Sequence, residues 1–156
     1  MFRTMRSEKN ATSYKEAEAM LREATHGVLS VHGDEDYPYG VPISFAYEDG
    51  KIYFHGTSDG SHRINSIKKN PRVSFCVVTQ DNILPEKFST LYRSAIAFGT
   101  ARVLTNPEEK AKAMDVILRK YSKDYLESGR KYAENDDARF CAVELTIEHL
   151  TGKAGN

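Results

Sequence analysis

The stretch from Tyr37 to Asn70 decides the fold, and it reads YPYGVPISFAYEDGKIYFHGTSDGSHRINSIKKN. Its first half predicts two strands joined by an Asp-Gly turn, because this dipeptide accepts the positive φ of a tight hairpin. Pro42 lies inside the first strand and has no N–H for a ladder, so this strand is expected at a sheet edge, or bulged or interrupted there. The second half predicts a loop after Gly56 and then a short helix over 61–70.

Strands and helices are predicted on both sides of this stretch. Ser13 and Glu16 have the spacing of a capping box, which predicts a helix from about Tyr14 to Ala24. Asn106 followed by Pro107 predicts the start of a second substantial helix. The other predicted elements are strands at 26–32, 39–47, 51–56, 72–79, 92–104 and 140–150, a polar loop over 80–90, and a shorter helix within 122–137.

About six strands therefore follow one another in hairpin-like succession, with helices inserted between them. This order predicts an antiparallel sheet rolled into a small barrel, an α+β protein, rather than a doubly wound parallel sheet. We expect one domain over residues 1–156. Gly99 indicates a bend or bulge in its strand, and Thr151 to Lys153 are expected to end the ordered part.

The composition argues against several classes of function. The net charge is zero, so the global basic field that many nucleic-acid-binding proteins use is absent. No apolar run approaches about 18 residues, and the N-terminus lacks the apolar core of a signal peptide, so we expect a cytoplasmic protein without a membrane span. Cys76 and Cys141 are expected to be buried free thiols, and the scattered histidines predict no metal site.

A candidate anion site begins at Gly60. Free N–H groups and the positive end of the dipole favour anions at a helix N-terminus. Arg63 adds a planar fork that suits phosphate oxygens, and Ser61 and His62 add further donors. The alternative is that Arg63 is an ordinary solvated residue near a helix start.

A candidate wall for a flat aromatic ligand runs over Val41, Pro42, Ile43 and Ser44, which we expect to face His55 across the hairpin. Such a ligand needs an apolar wall with backbone groups at its edge. His55 is either a hydrogen-bond donor to the ligand or an ordinary strand histidine bonded to a neighbouring carbonyl. The sequence has no nucleophile elbow, phosphate-binding P-loop or dinucleotide fingerprint. An enzyme with so little machinery depends on a cofactor.

These residues and their order resemble a known family over nearly the whole chain. The matching segments are YPYGVP (37–42), IYFHG (52–56), GSHR (60–63), NPRVSF (70–75), YRSA (92–95), FGTA (98–101) and TGK (151–153). The sequence is similar to the pyridoxamine 5'-phosphate oxidase-like, FMN-binding split-barrel family, and within it to the nitroimidazole-resistance branch. The resemblance implies a six-stranded antiparallel split barrel with flanking helices.

The resemblance also implies FMN bound at a homodimer interface, with two equivalent sites. By this match Val41, Pro42, Ile43 and Ser44 line the ring, and His55, Gly56 and Thr57 flank it. Ser61, His62 and Arg63 hold the phosphate. The branch often has lysine at position 63 and glycine at position 61, but arginine keeps the charge. Ser94 either approaches the site from the partner subunit or merely belongs to its strand, and for Lys153 the structural role is favoured.

Two functions follow from these expectations. The first is an FMN-dependent oxidoreductase that passes electrons from a reduced nicotinamide to a small acceptor such as a nitro-aromatic compound, with His55 as the candidate catalytic residue. The second is a module that binds, stores or senses flavin without efficient turnover. Relatives of this fold also bind haem and deazaflavins, so the fold alone does not choose between these ligands.

Overall fold

The computed structural model describes residues 1–57, 60–134 and 140–155. Within them lie seven strands and four α-helices. The strands are β1 (His26–His32), β2 (Pro38–Ser44), β3 (Ala46–Glu48), β4 (Lys51–Thr57), β5 (Arg72–Leu84), β6 (Ser89–Val103) and β7 (Phe140–Gly155). The helices are α1 (Tyr14–Glu23), α2 (His62–Lys69), α3 (Pro107–Tyr121) and α4 (Leu126–Glu134).

The seven strands form one antiparallel sheet in the order β2-β1-β5-β6-β7-β4-β3. Its two outermost strands, β2 and β3, are joined in the chain by the single residue Phe45. Because one residue spans only about 3.8 Å between Cα atoms, the two ends of the sheet must lie side by side. The sheet is therefore rolled into a barrel, and among the described residues no ladder joins β2 to β3 or β4. The barrel is split along that line.

The predicted α+β class and antiparallel barrel are confirmed, but there are seven strands rather than six. The strand predicted over 39–47 is divided into β2 and β3, and the division falls at Phe45 rather than at Pro42. Pro42 lies on an edge strand opposite Val28 of β1, where its missing N–H removes no bond to a second neighbour. The loop predicted after Gly56 and the end of the helix predicted over 122–137 lie partly outside the described residues.

The long hairpin of β5 and β6 corrects the loop predicted over 80–90. After a register shift between Val78 and Gln80, the two strands stay paired as far as Leu84 and Ser89. The polar composition of this segment suggested a loop, but cross-strand pairing overrides such local preference. The start of β6 also pairs with the end of β7, with Tyr92 opposite Gly155, so the predicted end of ordered structure at Thr151–Lys153 was wrong. The irregularity predicted at Gly99 is confirmed by a register shift there.

The helices begin where the sequence predicts. Ser13 accepts a hydrogen bond from the Glu16 N–H, and the Glu16 carboxylate accepts one from the Ser13 N–H at 2.8 Å, which completes the capping box of α1. The Asn106 side chain caps α3, with Pro107 as the first helical residue. None of the helices in the described ranges is long and apolar enough to cross a membrane.

Two apolar clusters hold the barrel and its helices together. The larger fills the barrel and includes the fully buried Leu29, Ile52 and Phe75 together with the inner face of α1. The smaller lies between α3 and the outer side of β4 and β7. Both cysteines are free thiols as predicted; Cys141 is buried and Cys76 is half-buried.

The last residues of α3 contact Phe45, the residue at which the barrel splits. Phe45 belongs to neither adjoining strand, and its N–H donates a hydrogen bond to the Tyr121 hydroxyl at 3.0 Å. That hydroxyl also lies 2.5 Å from the Thr25 carbonyl oxygen and against the Phe45 carbonyl oxygen. The Lys120 ammonium lies 4.2 Å from the centroid of the buried Phe45 ring, a cation–π contact. The Tyr121 hydroxyl thus takes the place of a strand partner for the backbone of Phe45.

We predict that Tyr121→Phe destabilises the protein. The change leaves the buried Phe45 N–H unpaired, which costs about 1–3 kcal/mol of unfolding free energy. Urea unfolding followed by circular dichroism measures the loss. Tyr125→Phe is the matched control, because Tyr125 is 71% exposed and its hydroxyl is in water. Equal midpoints for the Tyr121→Phe variant and the wild type would contradict this role.

Candidate binding site at the split of the barrel

The split is bordered by two strand edges that have no strand partner in the described residues. The ladder between β3 and β4 ends at Ala46 and Tyr53, so β4 from Phe54 onward pairs only with β7. On the other side, β2 pairs only with β1. The expected hairpin pairing of Val41–Ser44 with His55 is therefore replaced by an opening. It begins beside Phe45 and runs along β4 to Thr57.

Helix α2 begins beside the end of β4, where Arg63 lies against Gly56. Ser61 is its N-cap residue, but the Ser61 side chain makes no capping hydrogen bond. The first N–H groups of the helix therefore remain available, and the positive end of its dipole points to the same place. The next two residues, His62 and Arg63, diverge to opposite sides of the opening.

His62 reaches the β2 side. Its Nε2 accepts a hydrogen bond from the Asp34 N–H at 3.0 Å, and the Asp34 carboxylate lies 3.6 Å from the same nitrogen. The imidazole stacks on the Tyr39 ring with 4.2 Å between centroids and an interplanar angle of 16°. His62 thus fixes α2 against the start of β2, and its Nε2 is occupied by Asp34 in this structure.

Arg63 reaches the β4 side, where its guanidinium lies against Gly56. Its Nε is buried and has no hydrogen-bond partner in the described part of the chain. None of the ion pairs within the same residues includes Arg63. A buried polar atom without a partner is costly. Arg63 and the start of α2 together have the chemistry that suits an anion.

His55 lies next to this cation on β4. Its side chain is exposed, and its ring centroid is 5.6 Å from that of Phe140. Partial burial, and secondly the positive charge of Arg63, lower the pKa of His55 below its usual value. Neutral imidazole is therefore the main form at neutral pH. It can donate one hydrogen bond and accept another.

The predicted ring wall is divided by strand alternation. Val41 and Ile43 point into the barrel, where both contact the larger apolar cluster. Pro42 and Ser44 are exposed on the outer face. A ligand in the opening therefore meets the side chains of Pro42 and Ser44 and the backbone edge of β2. Thr57, at the end of β4, is also exposed and pairs with Phe140.

Ser94 is not brought to this site within one chain. It lies opposite Lys153, whereas Gly56 lies opposite Cys141 at the other end of β7. At about 3.3 Å per residue, the strand between these two β7 positions measures roughly 40 Å. Ser94 and Gly56 therefore pair with opposite ends of β7.

An apolar patch surrounds Ser94 on the outer face, and the sequence reasoning missed it. Its exposed members are Val28, Val78, Ile96 and Phe98. Strand pairing aligns Pro42, Val28, Cys76 and Ile96 in one row across four strands, so the patch is continuous with the outer side of the ring wall. The run AIAF at 95–98 was the available signal, because apolar residues at consecutive strand positions indicate that both faces are covered.

The chain is a split antiparallel barrel with an unpartnered arginine nitrogen at the opening, and the comparisons identify its family. The family model described as pyridoxamine 5'-phosphate oxidase matches residues 13–154. The chain belongs to the pyridoxamine 5'-phosphate oxidase family. No curated protein matches it.

Solved structures of similar fold come from several bacteria. One is a putative 5-nitroimidazole antibiotic resistance protein from Bacteroides thetaiotaomicron, with 23% identity, a TM-score of 0.73, and coverage of 92% of this chain and 85% of that one. The flavocytochrome Anf3 from Azotobacter vinelandii has 17% identity, a TM-score of 0.81, and coverage of 98% and 72%. An FAD and heme binding protein from Mycobacterium smegmatis has 20% identity, a TM-score of 0.77, and coverage of 95% and 74%. At these identities the likeness concerns the fold.

We predict that Arg63→Ala raises the pKa of His55. The charge of Arg63 opposes protonation of the imidazole, so its removal moves the pKa upward, while partial burial keeps it below the ordinary value of about 6.5. An NMR titration of the His55 ring protons measures the shift. Lys69→Ala, which removes an exposed charge from the other end of α2, is the control and leaves the titration in place.

The sign of the associated stability change also follows. Folding lowers the pKa of His55, so its contribution to stability is present above the unfolded value of about 6.5 and declines as the pH falls through the folded-state pKa. Arg63→Ala reduces this decline. A His55 titration that is identical in both proteins would show that the guanidinium does not act on the imidazole.

Proposed function

We propose that the protein is an FMN-dependent oxidoreductase whose cofactor lies in the opening between β2 and β4. The observation that carries this proposal is the buried, unpartnered Nε of Arg63 at the start of α2. A phosphate there meets a guanidinium, the free N–H groups of a helix start and the unused Ser61 hydroxyl. Membership of the pyridoxamine 5'-phosphate oxidase family supports the same ligand class.

In this proposal the phosphate of the cofactor is bound by Ser61, His62 and Arg63. Arg63 supplies the charge, and Ser61 and the first N–H groups of α2 supply directed donors. His62 acts mainly as a brace in this structure, because its Nε2 is engaged with Asp34 and its ring is stacked on Tyr39. Its other ring nitrogen is the group left for the ligand.

The ring end of the site lies along the two free strand edges. Pro42 and Ser44 offer an apolar surface and a hydroxyl on the outer face, and Val41 and Ile43 contribute through their backbone groups. Gly56 and Thr57 border the other side of the ring. Backbone groups at an unpaired strand edge are strong hydrogen-bonding partners for the polar rim of a flat heterocycle.

His55 is the side chain best placed to act on a substrate. When bound, flavin would supply the redox chemistry, with a reduced nicotinamide as hydride donor and a small molecule such as a nitro-aromatic compound as acceptor. The neutral imidazole of His55 would orient that acceptor by a hydrogen bond. A known relative of similar fold is named as a putative 5-nitroimidazole antibiotic resistance protein.

We also propose a homodimer formed through the apolar patch around Ser94. Four exposed apolar side chains lie there on one continuous face, which is unusual for a surface that stays in water. The patch adjoins the outer side of Pro42, so a second copy seated on it brings its Ser94 towards the ligand. Free Cys76 and Cys141 agree with a reducing compartment, and we assign the protein to the cytoplasm.

A second candidate function is haem or flavin binding without efficient turnover. Two solved structures of similar fold are named as a flavocytochrome and as an FAD and heme binding protein. Neutral, exposed His55 would serve as an axial ligand to haem iron. The two candidates differ in their absorption spectra.

We predict that the purified protein binds FMN and that NADH or NADPH bleaches the bound flavin under anaerobic conditions. Arg63→Ala should weaken FMN binding by about 1.5–3 kcal/mol, the range for hydrogen bonds to charged groups. Lys15→Ala, which removes an exposed charge from α1, is the matched control. Colourless protein that takes up no FMN would refute the flavin proposal. Bound flavin that only dithionite reduces would favour the binding module, and a Soret band would favour haem.

We predict that Ile96→Glu converts the dimer to a monomer and weakens FMN binding, because a charge at the centre of the patch opposes its burial against a second copy. Light scattering measures the mass. Tyr132→Glu, at an exposed aromatic on α4, is the control and leaves the dimer intact. A monomer that binds FMN with wild-type affinity would contradict a site shared between two chains.

A further inference from the structure

Gly56 leaves a space on β4 that the Arg63 guanidinium fills. A Cβ atom at position 56 would lie 2.0 Å from the Arg63 Nη2, 3.2 Å from its Cζ and 3.7 Å from its Nε. All three nearest atoms belong to this one side chain. The absence of a side chain at position 56 is therefore matched to the Nη2 end of the guanidinium, which points at this space.

The backbone of β4 does not itself require glycine at this position. The two positive-φ glycines among the described residues are Gly50 and Gly60, so Gly56 has a conformation open to other residues. Gly56 pairs with Cys141 in a regular ladder. Glycine within a strand weakens it and often marks a place where another group approaches closely. Here the approaching group is the arginine.

We propose that Gly56 is a positioning residue for Arg63. It lets the Nη2 end of the guanidinium reach β4, beside His55 and at the start of α2, so that the side chain is held at this place instead of turning into solvent. The inference rests on the proposed function only for the identity of the anion. It concerns the placement of the arginine, which the protein without ligand already shows.

The same geometry distinguishes arginine from lysine at position 63. A guanidinium is rigid and branched, and its Nη2 points into the space beside Gly56. A lysine ends in a compact ammonium on a thin stem and reaches an anion as a point charge. A methyl group at position 56 therefore obstructs arginine and largely spares lysine.

Gly56→Ala is a suitable test because the fold can absorb it. The atoms that the new methyl group meets are the end of a flexible side chain, so Arg63 moves and the strand stays in place. Gly40→Ala is the matched control: a Cβ there meets the Val28 side chain at 3.4 Å and the Ser30 Oγ at 3.9 Å, both ordinary contacts. Unfolding midpoints verify that both variants fold.

The experiment is a double-mutant cycle on FMN and inorganic phosphate affinity. We expect Gly56→Ala to weaken binding roughly tenfold or more, as the loss of a charge-assisted hydrogen bond does. We expect Gly40→Ala to leave the affinity unchanged. In an Arg63→Lys background, Gly56→Ala should have little further effect, so the two changes are not additive. If Gly56→Ala has the same effect with lysine at 63, the methyl group obstructs the ligand directly and the proposal is wrong.

The His55 titration, recorded without any flavin, gives an independent measurement. Gly56→Ala should raise the pKa of His55 as Arg63→Ala does, because the displaced guanidinium no longer opposes protonation, and Gly40→Ala should not. An unchanged titration together with unchanged phosphate affinity overturns the proposal. If no variant binds FMN, the proposed function fails, but the titration and the phosphate affinities still decide the role of Gly56.

Discussion

The hydroxyl of Tyr121 is a hydrogen-bond partner of Phe45, the residue that joins the two outermost strands of the sheet. Phe45 lies between β2 and β3, and its N–H has the Tyr121 hydroxyl as its partner at 3.0 Å. A buried N–H without a partner would cost about 1–3 kcal/mol. Because a side chain takes the place of the ladder, β2 can pair with β1 while β3 pairs with β4. Because β2 and β4 pair with different neighbours, an opening remains between them.

Local signals in the sequence predicted most elements, and non-local contacts decided the rest. The capping box at Ser13 and Glu16 needs only four consecutive residues, and it gave the start of α1. The break at Phe45 depends on Tyr121, 76 residues away in the chain, so no local pattern could reveal it. Pro42 was the visible irregularity, but an edge strand tolerates it. The extension of β5 to Leu84 depends on the partner strand in the same way.

In the candidate site, too, local sequence patterns indicated some features and non-local contacts decided the others. Arg63 could be singled out from the sequence, because a basic residue after a glycine at a helix start is a local pattern. Its contact with Gly56 and the stacking of His62 on Tyr39 join residues from different elements, so they required the structure. Strand alternation alone separates Val41 and Ile43 from Pro42 and Ser44. The sequence analysis placed all four residues in one wall, although successive side chains of a strand point to opposite faces.

An unpartnered, partly buried guanidinium lowers the stability of the free protein, and this cost has a counterpart in binding. The structure places Arg63 between α2 and a glycine of β4 with its Nε buried, instead of pairing the side chain with a carboxylate. A carboxylate partner would stabilise the free chain, but an incoming phosphate would then have to displace it. A site arranged in advance loses less free energy on binding, because the charged group is already oriented and dehydrated. An anion bound there, as proposed above, would also stabilise the fold, since it would bind the native state alone. In the opening between β2 and β4, two strand edges and one buried guanidinium nitrogen are left without partners among the described residues.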